Sequence, residues 1–446
     1  MFVISCLLSA LVTVFMCYEY YETAVRHEVC VVKYPVCVVR PLPRSCPRSR
    51  RLFRAVLWGF LTIVPLSSMA TEGVFLLGND ALQLGRASSG VASPRSAYWS
   101  YLNPASMVDL ERRIDANWYT VFTDIELEPR GLVGNRLDGT LVSDGIFNIG
   151  SAGFIWPLKT GVLGGGVYVP SGTGVEYPHS RNLISRLFQG NADRRLNYQH
   201  IRGVLSYGYA FENGWAVGAS LHGSVSRFAA DHITLKLRCA AEDNEWDDAL
   251  GAGFGLGVYK KWDRWAFGAS YSSRHWTQTM DHYRDLLAYP LDTPHIAQVG
   301  VAYKVTPKVE LTLDLKYLNW EDVKTYGAPM SEGGFNWKDQ YGYKAGVEWT
   351  VHPKWTLMAG FAHTGTPIQE DHMFLGSLVP VVVEDHLTAG FTYRINEHHE
   401  VHLVGIHAFE NSLTDTGDGD LFSQLAKHSR VTGSAESAAL GYTYKF

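Results

Sequence analysis

From residue 309 the chain alternates apolar and polar side chains one for one: Val309, Leu311, Leu313, Leu315 and Tyr317 against Glu310, Thr312, Asp314 and Lys316. Successive side chains of an extended strand point to opposite faces, so this pattern predicts a strand with one apolar and one polar face. The same alternation runs through Trp215, Val217, Ala219 and Leu221, and through Trp355, Leu357, Ala359 and Phe361. It recurs along the chain and predicts fourteen strands, near residues 112–127, 145–157, 160–176, 197–211, 214–230, 249–262, 264–278, 294–305, 308–322, 339–351, 353–365, 384–396, 399–411 and 432–446. After Thr71 no apolar run approaches the roughly 20 residues that a membrane helix needs.

A β-sandwich and a membrane barrel both produce such alternation, and the connections separate them. Short turns at Leu158-Lys159, Glu212-Asn213, Asp263, Thr306-Pro307, His352-Pro353 and Glu397-His398 alternate with long polar loops, among them residues 178–196, 231–248, 366–383 and 414–431. Short periplasmic turns facing long extracellular loops are the bacterial outer-membrane arrangement. The expected fold is therefore all-β, a 14-stranded antiparallel transmembrane barrel occupying residues 112–446. The last strand fits it: Ala438, Leu440, Tyr442, Tyr444 and the terminal Phe446 share one face and pair with the first strand near Arg112.

Composition then changes the reading of the N-terminus. Arg50, Arg51 and Arg54 precede an apolar run from Ala55 to Leu66 and the small-residue stretch Ser68-Met69-Ala70, which together form a secretory signal over residues 50–70 with its cut after Ala70. Residues 1–49 hold a second apolar run that is too short to span; the reading is an extension upstream of the true start, or one that is cleaved. Setting aside the first 70 residues removes eight of the 39 basic and three of the 44 acidic residues, so the remainder carries ten more acids than bases. An acidic chain without a basic patch excludes nucleic acid as a partner. Five of the six cysteines also lie there, and the remaining Cys239 can form neither an internal disulfide nor a two-cysteine metal site.

Residues 71–111 precede the first strand and are rich in apolar side chains, including Val74, Phe75, Leu76, Leu77, Tyr98 and Trp99. Such residues need burial, and a barrel of this size has a lumen wider than its own side chains fill, so an N-terminal plug (a hatch of short helices) is expected inside it. Leu84-Gly85-Arg86-Ala87 followed by Asn103-Pro104-Ala105, the stretch Gly165-Gly166-Val167-Tyr168-Val169-Pro170-Ser171-Gly172-Thr173-Gly174, Asn336-Trp337-Lys338-Asp339, and Glu384-Asp385-His386-Leu387-Thr388 resemble, in order and spacing, the FadL/TodX family of outer-membrane transporters for hydrophobic compounds. One departure is Ser93-Pro94-Arg95-Ser96, where the family usually carries acidic residues.

The resemblance implies capture between extracellular loops, an internal pocket, movement of the hatch (Asn103, Pro104, Ala105) and sideways exit at a kinked third strand. A physical reason for a kink is present: Pro170 lacks the N–H that a ladder requires, and Ser171 and Gly172 follow it; the plainer reading is that Pro170 marks the strand's end. Leu183, Ile184, Leu187 and Phe188 form an apolar stripe that serves either ligand capture or loop packing. Arg227 and Lys338 are the candidate partners for a ligand carboxylate, although Arg227 shares the face of Val217 and Leu221 and could snorkel instead. His398 and His402 lack a third ligand at fitting spacing, so no metal is expected, and no nucleophile or phosphate-loop motif points to an enzyme or a cofactor.

The expected function is passive outer-membrane transport of hydrophobic small molecules, foremost long-chain fatty acids, by a monomer. A general diffusion porin and an aromatic-hydrocarbon channel are the alternatives. Its expected neighbours are the ligand, outer-membrane lipid and lipopolysaccharide, and the barrel assembly machinery.

Overall fold

The computed structural model describes residues 72–132, 139–178, 193–233 and 244–446. They form one antiparallel sheet whose strands are β1 (Arg113–Glu128), β2 (Leu141–Leu158), β3 (Gly161–Tyr177), β4 (Arg194–Ala210), β5 (Trp215–Asp231), β6 (Asp247–Lys261), β7 (Trp265–Ser272), β8 (His295–Thr306), β9 (Val309–Asn319), β10 (Gln340–His352), β11 (Trp355–Thr364), β12 (Asp385–Arg394), β13 (His399–Thr414) and β14 (Arg430–Lys445). Each pairs with its neighbours in sequence, and β1 closes the ring on β14, from Arg113 opposite Lys445 to Glu128 opposite Arg430. The barrel is 14-stranded, as the loop rhythm predicts. At its seam the Phe446 N–H donates to the Arg112 carbonyl at 3.1 Å. The Arg112 guanidinium lies 3.4 Å from the Trp156 ring and 4.1 Å from that of Phe446.

The alternation places Leu221, Leu313, Leu315 and Leu403 on the outside, where they are exposed to lipid, and Ser220, His222, Thr312 and Asp314 inside, where they are buried. Trp215, Trp262, Trp265, Trp349 and Trp355 sit near the short turns as an interfacial girdle. The seventh strand departs from expectation. It breaks after Ser272 and resumes as Trp276–Thr277, still paired with β6. Between the pairs Gly255–Ser272 and Gly251–Thr277 the seventh strand carries one residue more than β6, which is a bulge, and the fully buried His275 lies in it.

The interior is filled by the hatch. Gly85, Gly90, Pro94 and Pro104 interrupt it, so only short helices form: α1 (Ala81–Leu84), α2 (Trp99–Leu102) and a 3-10 turn at Ser106–Asp109. Asp80 starts α1 by accepting the Gln83 N–H at 3.0 Å. The wall gives way to the hatch at glycines. A Cβ added to Gly218 would lie 2.4 Å from the Ala105 nitrogen, one on Gly257 2.2 Å from Asn103 Oδ1, and one on Gly360 2.4 Å from the Arg86 carbonyl carbon. Asn103 fastens the same turn: its Nδ2 donates to the carbonyls of Val91 (3.0 Å) and Val258 (3.3 Å).

Backbone atoms cannot rotate away from an intruding methyl, so Gly218→Ala is expected to lower stability by about 1–3 kcal/mol. Gly223→Ala, on the same strand but with nothing within 4 Å, is expected to be silent. The temperature at which the folded barrel loses its fast electrophoretic migration measures both. Equal effects would contradict this packing.

Candidate functional site

The wall is parted between β2 and β3. Pairing of β2 with β3 stops at Ala152–Val167, and the rest of β3, through Tyr177, pairs with β4 but not with β2. Between the β3–β4 pairs Tyr168–Arg202 and Ser171–His200, β3 carries one extra residue, a bulge at Val169-Pro170. Proline offers no N–H to continue a ladder, and the chain departs from the wall there. The hatch satisfies the orphaned groups. Asn79 Oδ1 accepts the Val169 N–H at 2.6 Å, and the Asn79 carbonyl accepts from Ser151 Oγ on β2 at 2.6 Å. The Leu76 N–H donates to the Pro170 carbonyl and the Gly172 N–H to the Val74 carbonyl, both at 2.9 Å. Pro170, Ser171 and Gly172 thus stand at a gap in the wall that hatch residues bridge.

Two cavities lie on either side of the first hatch residues. The outer one, ≈ 30 Å³, is walled by Val74, Leu196, Tyr198, Phe228, Tyr326 and Val379. The inner one, ≈ 40 Å³, is walled by Phe75, Leu77, Tyr98, Tyr101, Pro170 and Lys316. A cavity of about 150 Å³ is what benzene occupies in a protein interior, so neither holds a cargo molecule as it stands. Among the described residues, the partition between the two is the segment 74–77. Aromatic side chains of the loop after β9 press on that segment: Trp320 lies 5.8 Å from Phe75, and Trp337 5.2 Å from Trp320, between ring centroids.

The candidate cations fall elsewhere than expected. Arg227 points outward, pairs with Asp248 at 2.8 Å and lies over Trp246. It sits near the outer end of β5 on the lipid-facing parity, which favours snorkelling. Lys338 is 55% exposed and pairs with Glu321 at 3.3 Å, while its neighbour Trp337 takes the buried position. Leu183, Ile184, Leu187 and Phe188 lie outside the described residues. His398 and His402 do not converge: His402 is buried between Thr392 and Thr443, and His398 binds the Lys445 carbonyl at the rim. Among the described residues no cluster suits a metal ion.

Three interior charge sites take their place. Arg95 of the hatch pairs with Glu310 at 2.7 Å and Glu348 at 2.9 Å. The cation stands in the hatch and the two acids on the wall, in the stretch where the sequence departs from the resemblance. Arg202 is 1% exposed and donates to Tyr101 Oη at 3.0 Å and Thr293 Oγ1 at 3.3 Å, with His200 Nε2 at 3.2 Å. It has no ion pair among the described residues, and its Nε lacks a partner. Glu72, fully buried, binds Lys316 on β9 and, at 2.6 Å, Lys344 on β10. Burial alone would push the Glu72 carboxyl up, but the two ammonium groups hold it below the ordinary carboxylate value. Their contribution to hatch stability is therefore present above the ordinary glutamate range and lost as pH falls through the lowered value. Period-2 parity could have placed Lys316, Lys344 and Arg202 inside, since each falls on the polar face of its strand.

Residues 64–446 match the family described as outer membrane protein transport protein, OMPP1/FadL/TodX. The chain belongs to this family. It is an integral outer-membrane β-barrel that transports hydrophobic compounds, and not an enzyme. The toluene transporter TodX of Pseudomonas putida superimposes with a TM-score of 0.62 at 16% identity, over 83% of this chain and 99% of that one. A FadL homologue from Pseudomonas aeruginosa gives 0.62 at 16% identity, over 84% and 100%. The toluene transporter TbuX of Ralstonia pickettii gives 0.59 at 16%, over 83% and 99%. At these identities the likeness establishes the fold. No curated protein sequence matches the chain.

In this FadL/TodX member, Arg95→Ala would leave Glu310 and Glu348 without their cation. Because Arg95 is 27% exposed, the expected cost is about 2 kcal/mol, below that of a fully buried pair. The hatch should loosen, raising swelling of liposomes in small sugars. Adding Glu310→Gln and Glu348→Gln to the same chain should restore tightness; persistent leak in the triple variant would show that the charges do not hold the hatch.

Proposed function

We propose that the cargo is a long-chain fatty acid, taken up passively, passed from the apolar outer cavity to the partly polar inner one when the hatch moves, and released sideways between β2 and β3. The observation that carries the carboxylate is Arg202: a buried guanidinium without an ion pair among the described residues, hydrogen-bonded to the Tyr101 that walls the inner cavity. Burying a cation costs several kcal/mol unless an anion accompanies it, and an uncharged hydrocarbon would leave that cost unmet. The observation that supports sideways release is the run of β2 and β3 without strand pairing, beside which the hatch lies.

Aromatic hydrocarbons form the second reading, because TodX and TbuX are toluene transporters. A general pore is disfavoured by a hatch whose side chains are almost all buried against the wall.

Uptake of labelled oleate and of toluene by cells lacking their own transporter separates the readings. With this chain present, oleate uptake should rise and toluene uptake should not. Arg202→Met should lower oleate uptake by about tenfold, the loss of one charge-assisted contact. Pro170→Val, which returns an N–H to β3, should slow uptake without unfolding the barrel. Oleate uptake that is indifferent to the protein would end the fatty-acid reading, and toluene uptake in its place would establish the other.

A further inference from the structure

The Glu72 site has a property that the mechanism above does not use. Two lysines from adjacent strands hold one carboxylate, so the triad carries surplus positive charge at the wall of the inner cavity, which Lys316 lines. Side-chain exposure is 0% for Glu72, 1% for Lys344 and 12% for Lys316. The neighbouring Asp314, whose charge acts on Lys344, offsets that surplus, but it forms no ion pair with either lysine: the N–H groups of Gly90 and Val91 and the Gln298 amide all donate to its Oδ2. Buried ion pairs add little stability over apolar residues of similar size, so holding a strand-like segment in place does not by itself call for this arrangement.

Glu72 is also the anchor of the partition. The segment that follows it has Val74 facing the outer cavity and Phe75 to Leu77 facing the inner one. Besides packing, two backbone bonds to β3, at Pro170 and Gly172, hold that segment to the wall. Freeing Glu72 would release the segment, join the two cavities and uncover two ammonium groups at once.

We propose that Glu72 is an internal stand-in for the cargo's headgroup: Lys316 and Lys344 form a carboxylate-binding site, and an amphiphile bearing a carboxylate displaces Glu72 and so opens the partition. The inference rests on transport of hydrophobic molecules and deepens it by naming a second, gating contact for the acid group, distinct from Arg202. Displacement exchanges one charge-assisted pair for another, so it costs little for an acid. For an uncharged molecule it would leave two buried cations without the carboxylate that pairs with both. The latch is therefore a selectivity device as well as a gate. A ligand shifts such an equilibrium only by its differential affinity for the open state, and only a carboxylate gains from the uncovered lysines.

The test uses the full chain purified in maltoside detergent, with dodecanoate and methyl dodecanoate as probes in calorimetric titrations. Glu72→Gln should tighten dodecanoate binding by on the order of tenfold, because the closed latch no longer competes, and leave the ester unchanged. The double variant Glu72→Gln/Lys344→Met, which leaves no buried acid unpaired, should lose the preference for acid over ester. In the unaltered protein, dodecanoate but not its ester should speed hydrogen exchange at the Leu76 and Gly172 amides, whose bonds tie the segment to β3.

Equal shifts for acid and ester in Glu72→Gln, or no shift for either, would overturn the proposal and make Glu72 a structural anchor only. Binding of the ester alone to every protein would overturn it while leaving hydrophobic transport intact. Binding of neither probe to any of them would tell against the transport reading itself. Retention of heat-resistant fast migration on gels shows that each variant is a folded barrel.

Discussion

Within a bilayer no water is available to a backbone N–H or C=O, and each one left unpaired costs several kcal/mol. That requirement forces the sheet to close, and β1 meets β14 over its whole length to satisfy it. It also explains why the hatch is hydrogen-bonded to the wall where β2 and β3 part. Pro170 cannot continue the ladder, so Val169, Pro170 and Gly172 turn inward and find their partners on Asn79, Leu76 and Val74. The opening and its cover are thus one hydrogen-bonding problem with one solution. Any movement of residues 74–79 exposes unpaired strand edges, and any cargo that passes has to make that exposure tolerable.

A second constraint is volume. A 14-stranded ring encloses more space than its inward side chains occupy, and the 72–110 segment fills it. The fit is achieved less by large side chains than by their absence. Inward glycines such as Gly218, Gly257 and Gly360 let the hatch backbone approach the wall to distances that no Cβ would permit. Close backbone approach leaves cavities of only ≈ 30 and ≈ 40 Å³. The hatch is therefore closely packed against the wall on either side of residues 74–77.

Charge decides what holds the hatch down. Polar residues facing a sealed lumen need partners, and the structure supplies them across the hatch–wall boundary: Arg95 with Glu310 and Glu348, Glu72 with Lys316 and Lys344, and the backbone of Gly90 and Val91 with Asp314. Arg202 and Arg86 are buried cations bonded only to neutral groups; Arg202 lies beside an aromatic ring that walls the inner cavity.

Sequence alone determined the strands, their number, the two rims and the hatch, because each rests on local periodicity: side-chain parity within a strand, and short turns against long loops between strands. It also singled out Pro170, since a proline's missing N–H is a property of one residue, and a bulge in β3 lies there. The charge sites were less legible. Parity shows that Lys316, Lys344 and Arg202 point inward, but Arg227 and Lys338 drew attention because they lay in family-like motifs, and tertiary structure put the first on the lipid side and the second in solvent. Nothing local to Glu72 announces its partners, which lie 244 and 272 residues further along the chain. Their meeting depends on the hatch threading back through a ring whose closure is a long-range event. An ion pair is decided by where its two ends come to lie, and only the folded barrel decides that.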